Sequence, residues 1–336
     1  MPSLATSTRD DTSRLLSIVL LSYQSEGRLR PAVEEAVGAM ETAGIPFELI
    51  IMDDGSSDRS FELARELARE DARIRAFQLS RNYSSPYSLF AGLSVARGAC
   101  VASIPDDHQC PMDVIVEMYR LWQQGAKVVI GHRRTRNDGR INDFFSSTYY
   151  KIMNHLSDVA FPPGGCDRFL ADREIVDLLN SRIHPINTTP VLEVLRLGFS
   201  PVFVPYDRPQ RSGPSRWTLR KKIRLAAATF FGASSWPLRL ITVLGLSVFV
   251  ACFFLVLLIV WARIYADRSL FGLATNGWAT SMVVMAMFNG LILLSMGIVA
   301  EYIWRIHEEV KGRPGFVIRE ADDDDPSDGM TEPEGP

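Results

Sequence analysis

Two periods of apolar residues alternate along the first half of the chain. Short apolar runs at Leu16 to Ser22, Phe47 to Met52, Ala76 to Leu79, Val101 to Ile104 and Lys127 to Gly131 have the length and β-branched content of strands. Helical spacing fills the gaps between them. Leu29, Val33, Val37 and Met40 mark a helix from Arg28 to Ala43 that stops at Gly44. Further helices are expected over Phe61 to Ala72, Ser85 to Arg97 closed by Gly98, Met112 to Gln124 closed by Gly125, and Glu174 to Leu179. Strands that alternate with helices predict βαβ units, hence an α/β fold with a mostly parallel sheet and right-handed crossovers.

The pattern changes near residue 216. From Trp217 to Phe231, basic residues at 220, 221, 222 and 224 alternate with Leu219, Ile223, Ala227 and Phe230 at helical spacing. A basic amphipathic helix of this kind is expected to lie along an anionic lipid surface. Leu238 to Tyr265 and Trp278 to Ile303 are then each long enough to cross a bilayer, for which about 20 apolar residues suffice. Arginines and lysines flank the pair on its outer sides, whereas the loop between carries only Arg268, so the positive-inside rule predicts a hairpin with both ends cytoplasmic.

The domain reading follows: a polar, disordered start (1–14), a globular cytoplasmic domain (15–215), the interfacial helix (216–235), and a transmembrane hairpin (236–305). A cytoplasmic segment (306–319) and an acidic, disordered tail (320–336) complete it. The expected setting is the cytoplasmic membrane, with the lipid bilayer as a partner. Glu301, near the end of the second span, is read as interfacial and paired.

Composition adds exclusions. The 336 residues carry 36 basic and 39 acidic side chains, a net charge of −3, so nothing global points to nucleic acid. The four cysteines, Cys100, Cys110, Cys166 and Cys252, show no metal-site spacing, and a reducing compartment fits them. Leu15 to Leu21 is too short for a signal peptide and lacks a cleavage site, so it is read as the first strand.

Chemistry is concentrated where strands end. The fourth apolar run breaks at Pro105 into Asp106 and Asp107, and the second stops at Asp53-Asp54-Gly55-Ser56-Ser57-Asp58. Asp58 can cap the next helix, which leaves Asp53 and Asp54 at the strand end. An isolated pair of acids is more often a solvated loop, but open α/β sheets bind ligands beyond the carboxyl ends of their strands. Such a sheet places Tyr23, Asp53, Asp54 and Asp107 on one edge. Hard oxygen ligands suit Mg²⁺ or Mn²⁺, which takes one or two carboxylates together with substrate phosphates, so the expected ligand is a metal-bound diphosphate.

The ordered set LLSYQSE, IIMDDGSSD, LSRNYSSPYSLFAGLSVARG, IPDDHQCP and GPSRWTLRKKIRLA resembles inverting GT-A glycosyltransferases similar to dolichol-phosphate mannose synthase. With the apolar hairpin included, the chain resembles bacterial polyprenyl-phosphate glycosyltransferases over roughly Leu16 to Arg319. The resemblance implies a GT-A, Rossmann-like sheet, a nucleotide-sugar donor (UDP-linked), a polyprenyl phosphate acceptor of the undecaprenyl type, and Mg²⁺ or Mn²⁺. It also implies a homo-oligomer packed through the hairpins.

Residue by residue, the resemblance assigns donor binding to Tyr23, Glu26, Asp53, Asp54, Arg81, Asp106 and Gln109. Asp107 becomes the metal ligand, with Asp106 as its substitute. Arg133 and Arg136 follow the fifth strand and would reach the donor diphosphate or the lipid phosphate, for which guanidinium forks are suited. Asp167, in Gly165-Cys166-Asp167-Arg168, is the candidate base or acceptor-orienting residue, and Asp107, Asp167 and Arg133 form the catalytic set. Arg211, Ser215 and Arg216 would close over the phosphates. His108 is read as a packing or supporting residue.

The family pattern is broken in places. YNEE is here Tyr23-Gln24-Ser25-Glu26, the first acid of D-x-D-L-Q is Pro105, and a Gly-Lys pair after the RN dipeptide is Ser84-Ser85. These departures keep open a non-catalytic, membrane-anchored scaffold that binds nucleotide sugar. A processive polysaccharide synthase fits less well, because no Q-x-x-R-W run is present and two spans make no obvious channel.

Overall fold

Strands β1 (Leu16–Ser22) and β2 (Phe47–Asp53) are buried along nearly their whole length, as befits parallel strands covered on both faces. The computed structural model describes residues 14–107, 111–134, 166–186, 188–207, 241–248, 250, 254 and 278–322. After β2 come α2 (Ser60–Glu70), β3 (Ile74–Leu79), α3 (Ser85–Val95), β4 (Cys100–Pro105), α4 (Met112–Gln123) and β5 (Val128–Arg133), with α1 (Leu29–Ala43) between β1 and β2. Then follow β6 (Cys166–Asp172), α5 (Arg173–Arg182), α6 (Pro190–Arg196), β7 (Val202–Tyr206), α7 (Trp278–Val310) and β8 (Ile318–Asp322).

The eight strands form one sheet in the order β7-β5-β6-β4-β1-β2-β3-β8. Strands β4, β1, β2 and β3 run parallel, and β5 is parallel to β7. β6 is antiparallel to both β4 and β5, and β8 is antiparallel to β3. The chain steps from β1 outward to β3 and then returns to β4 on the other flank of β1, so the strand order reverses between β1 and β4. In open α/β sheets that reversal opens a crevice at the carboxyl ends. Register aligns those ends: Ser22 sits opposite Asp53, and Leu21 opposite Pro105.

Alternate residues feed two cores. Ile18, Leu20, Leu49 and Ile51 pack under α1, α2 and α4, while Val19, Ile50, Met52 and Val101 pack under α3, α5 and α6. Besides Asp53 at its end, β2 carries one buried charged residue, Glu48. The Glu48 carboxylate accepts from Ser17 Oγ (2.5 Å), Arg75 Nη1 (3.1 Å) and the Arg97 backbone N–H (2.6 Å). Gly98 N–H in turn donates to Ser17 Oγ (2.7 Å), and a Cβ at Gly98 would lie 2.6 Å from Ser17 N. This network explains why α3 stops at Val95, two residues short of the predicted end: the N–H groups of Arg97 and Gly98 serve the buried polar cluster instead.

Other differences lie late in the chain. β6 and β7 were not predicted, and β8 takes Glu320, Ala321 and Asp322 from the segment expected to be a disordered tail. β8 is fixed by backbone pairing to β3 and by Ser80 N–H donating to Val317 O (2.9 Å).

The chain divides into two compact units, the sheet with its helices and a second unit around residues 225–313. Within the second, residues 241–248 are helical and α7 runs for 33 residues. Among the described residues, Phe288–Val310 is the stretch long and apolar enough to cross a membrane, and Leu293 and Met296 are more than 60% exposed. Most of the first expected span, and all of the amphipathic helix at 216–235, lie outside the described residues.

Candidate active site

Asp53 ends β2 with no exposed surface. Its carboxylate accepts from Ser56 N–H (2.9 Å), Ser56 Oγ (2.5 Å) and Gln78 Nε2 (3.1 Å). Asp54 turns to the loop after β3 and accepts from the N–H groups of Tyr83 (2.7 Å) and Ser84 (2.9 Å). Burial raises both carboxyl pKa values above the ordinary value, against these hydrogen bonds, which favour the charged form. Gly55 has φ of 65°, and a Cβ there would lie 2.5 Å from the Arg81 carbonyl carbon, so only glycine lets the two loops approach. The Arg81 guanidinium stacks over the Tyr83 ring at 4.1 Å.

The turn after β1 is tied to its neighbours. Gln24 N–H donates to Ser56 Oγ (2.8 Å), Ser25 N–H to Ser60 Oγ (2.7 Å), and Glu26 N–H to Asp58 Oδ2 (3.4 Å). Asp58 also accepts from Ser60 N–H and Oγ, but the N-cap of α2 is Arg59, which makes no side-chain cap bond, so Asp58 stands just before the helix instead of capping it as the sequence predicted. Two non-glycine residues in the described chain have positive φ, Gln24 (48°) and Ser84 (81°). Both stand where the family motifs carry Asn or Gly, residues that tolerate such angles.

At the end of β4 the two acids part company. Asp106 Oδ2 accepts from Ser25 Oγ and from Arg28 Nη2 (2.9 Å). Among the described residues, Asp107 Oδ1 is buried with no hydrogen-bond partner, as is Ser22 Oγ at the end of β1. A buried carboxylate oxygen without a donor is costly unless a ligand meets it, and a divalent cation fits that need. No group of three His, Cys, Asp or Glu side chains converges on a metal position among the described residues.

The remaining predicted residues are placed unequally. Because β6 runs antiparallel, its first residues lie at the same edge as the ends of β4 and β5. Its register against β5 shifts between Gly131 and His132, leaving Asp167 as the bulged residue between Arg168 and Cys166. Bulges next to active sites re-aim a strand. Arg133 ends β5 by its backbone position opposite Tyr206. His108, Gln109, Arg136, Arg211, Ser215 and Arg216 lie outside the described residues. Sequence reading missed Arg28, Ser25, Ser56 and Gln78. Ser56 was in the quoted motif, whereas the partner of Arg28 is 78 residues away and left no local signal.

The α/β sheet, with buried acids gathered where its strand order reverses, is of the GT-A, Rossmann-like type found in glycosyltransferases. Residues 17–177 match the family model described as Glycosyl transferase family 2. The chain is 31% identical over 277 residues to the SfII prophage-derived bactoprenol glucosyl transferase of Shigella flexneri, covering 82% of this chain and 87% of that protein. It is 28% identical to the glycosyltransferase YkcC of Bacillus subtilis (strain 168), over 91% of this chain and 93% of that one. The undecaprenyl-phosphate 4-deoxy-4-formamido-L-arabinose transferase of Pectobacterium carotovorum is also 28% identical, over 93% of this chain and 94% of that protein. The chain therefore belongs to glycosyl transferase family 2, and it is a glycosyltransferase.

Proposed function

We propose that the protein transfers a sugar from a UDP-linked donor to the phosphate of an undecaprenyl-type polyprenol at the cytoplasmic face of the membrane, with inversion at the anomeric carbon. The observation that carries the reading is the convergence of Asp53, Asp106 and Asp107 at one aligned sheet edge, with a buried Asp107 oxygen that no donor among the described residues meets. The relatives' names, bactoprenol glucosyl transferase and undecaprenyl-phosphate sugar transferase, support the acceptor class. The exposed apolar length of α7 supports a bilayer setting.

In this reading Asp53 and Tyr23 hold the nucleoside: the Tyr23 ring can stack on the base, and the buried Asp53 carboxylate, held by Ser56 and Gln78, fixes the turn that lines it. Asp107 would hold Mg²⁺ or Mn²⁺, which supplies positive charge to the departing diphosphate. An oxygen of the lipid phosphate forms the new bond to the anomeric carbon while the bond from that carbon to the UDP oxygen breaks, and UDP leaves with the electron pair. A phosphomonoester has its second pKa near about 6, so the nucleophile is already charged at neutral pH. The demanding step is bringing two anions together, and Arg81, Arg133, Arg136, Arg211 and Arg216 are assigned to it, with Ser215. Asp167 is assigned to orienting the acceptor with Arg133, since proton removal asks little of the enzyme. Packing through the apolar helices would give a homo-oligomer.

The test uses the full chain in nanodiscs with a panel of UDP-sugars, Mg²⁺ or Mn²⁺, and undecaprenyl phosphate. Lipid-dependent release of UDP is expected from one donor, and Asp107→Ala is expected to slow it by about 10²-fold or more. No release from any donor, or an Asp107→Ala variant that behaves as wild type, overturns the reading.

A further inference from the structure

Asp106 and Asp107 are adjacent in sequence, yet the fold treats them differently. Arg28, the residue before the first turn of α1, sends Nη2 to Asp106 Oδ2 at 2.9 Å, to Ser25 Oγ at 3.2 Å and to Gln24 O at 3.3 Å. Its backbone N–H closes the turn on Ser25 O at 2.8 Å, so the side chain starts from a fixed point. The Asp106 side chain is 13% exposed, which shields this pair from much of the screening that weakens surface ion pairs. Ser25 and Pro105 are both departures from the family motifs, and both meet Asp106: Ser25 donates to it, and Pro105 precedes it. The result is an acid already neutralised by a resident cation, beside an acid whose buried oxygen is unsatisfied.

We propose that Arg28 is a positioning residue that withholds Asp106 from metal ligation. The divalent cation then has one protein carboxylate, Asp107, and is retained mainly when the donor diphosphate supplies the remaining oxygens. The Arg28 guanidinium and Ser25 hydroxyl fix the carboxylate through Asp106 Oδ2, and the guanidinium charge opposes a dication arriving nearby. Metal and nucleotide therefore load as a unit. This inference rests on the reading of Asp107 as the metal ligand.

The experiment titrates the full chain in detergent with Mn²⁺, following free Mn²⁺ by electron paramagnetic resonance, with and without UDP. Wild type is expected to bind Mn²⁺ weakly alone and much more tightly with UDP. Arg28→Gln is expected to tighten UDP-free binding about tenfold, the lower end of what a supporting partner contributes to a metal site. The double variant Arg28→Gln/Asp106→Asn is expected to return to the wild-type value, and Arg28→Lys to stay near it. Asp106→Asn alone provides an independent arm: it leaves the Arg28 charge unbalanced, so Mn²⁺ binding is expected to weaken only a few-fold, whereas Asp107→Asn should lose Mn²⁺ in both conditions. If Asp106→Asn weakens Mn²⁺ as Asp107→Asn does, or Arg28→Gln leaves UDP-free binding unchanged, the role given to Arg28 is wrong. If Asp107→Asn binds Mn²⁺ and UDP as wild type does, the metal reading itself fails and takes this inference with it.

Discussion

Ser84 has φ of 81° and ψ of 158°, a region normally left to glycine, yet both of its neighbours in function require it there. Its N–H and that of Tyr83 hold the Asp54 carboxylate, and the strained angle is what aims them. Ser84→Gly should relieve about 1 kcal/mol of strain and raise Tm by roughly 2–4 °C in a thermal melt of the full chain. Asp53 gives a second expectation, through pH. Burial raises its pKa above the unfolded value of about 3.9, so the native state binds the proton more tightly than the unfolded chain. Its contribution is fully present below that unfolded value and is lost as pH rises through the raised one. The Tm of wild type relative to Asp53→Asn should therefore fall as pH is raised from about 3.5 to 7, where the charged carboxylate is a burden on the fold. A difference that grows with pH would contradict the assignment. At this scale the sequence was legible where motifs are contiguous: Asp53, Asp54 and Asp107 were read from short strings. Arg28 against Asp106 was not, because the pairing exists only once β1 and β4 lie side by side.

At the scale of elements, the same division holds. The strands and helices from β1 to β5 were visible because each carries a clean period of apolar residues, and only their ends moved. The end of α3 moved because Glu48, 49 residues from Arg97, recruits its N–H. β6 carries Asp167, Arg168 and Asp172 among its apolar residues, and β8 reads Ile-Arg-Glu-Ala-Asp, so neither shows a hydrophobic pattern. They form because long-range backbone pairing satisfies an open neighbour, and charges on an edge strand such as β8 also discourage further pairing. The Glu48 cluster is itself testable. Glu48→Ala removes the carboxylate beside the buried Arg75 and three hydrogen-bond acceptor contacts at once, and should cost about 3–5 kcal/mol in a denaturant titration. A loss under about 1 kcal/mol, the range of exposed pairs, would show that the cluster is solvated in solution.

For the whole molecule, composition announced an apolar C-terminal region, and α7 answers to it with large exposed side chains along its length. What composition did not announce is that the chain beyond α7 returns to the sheet. Ending the chain before Pro314 should uncover the β3 edge, with loss of the Ser80 to Val317 bond and the whole β8 ladder. The expected outcome is a lower Tm and self-association through the open edge, read by size-exclusion chromatography with light scattering. A monodisperse variant with unchanged Tm would show that β8 is dispensable.

That return also orders events at the ribosome. β3 emerges early, but its outer partner is translated only after the apolar helix, so the nascent domain must wait with one flank bare until residues 318–322 have left the ribosome. A chain interrupted within or before that helix would thus leave the sheet without its last strand, so one bare edge reports any failure downstream of β3.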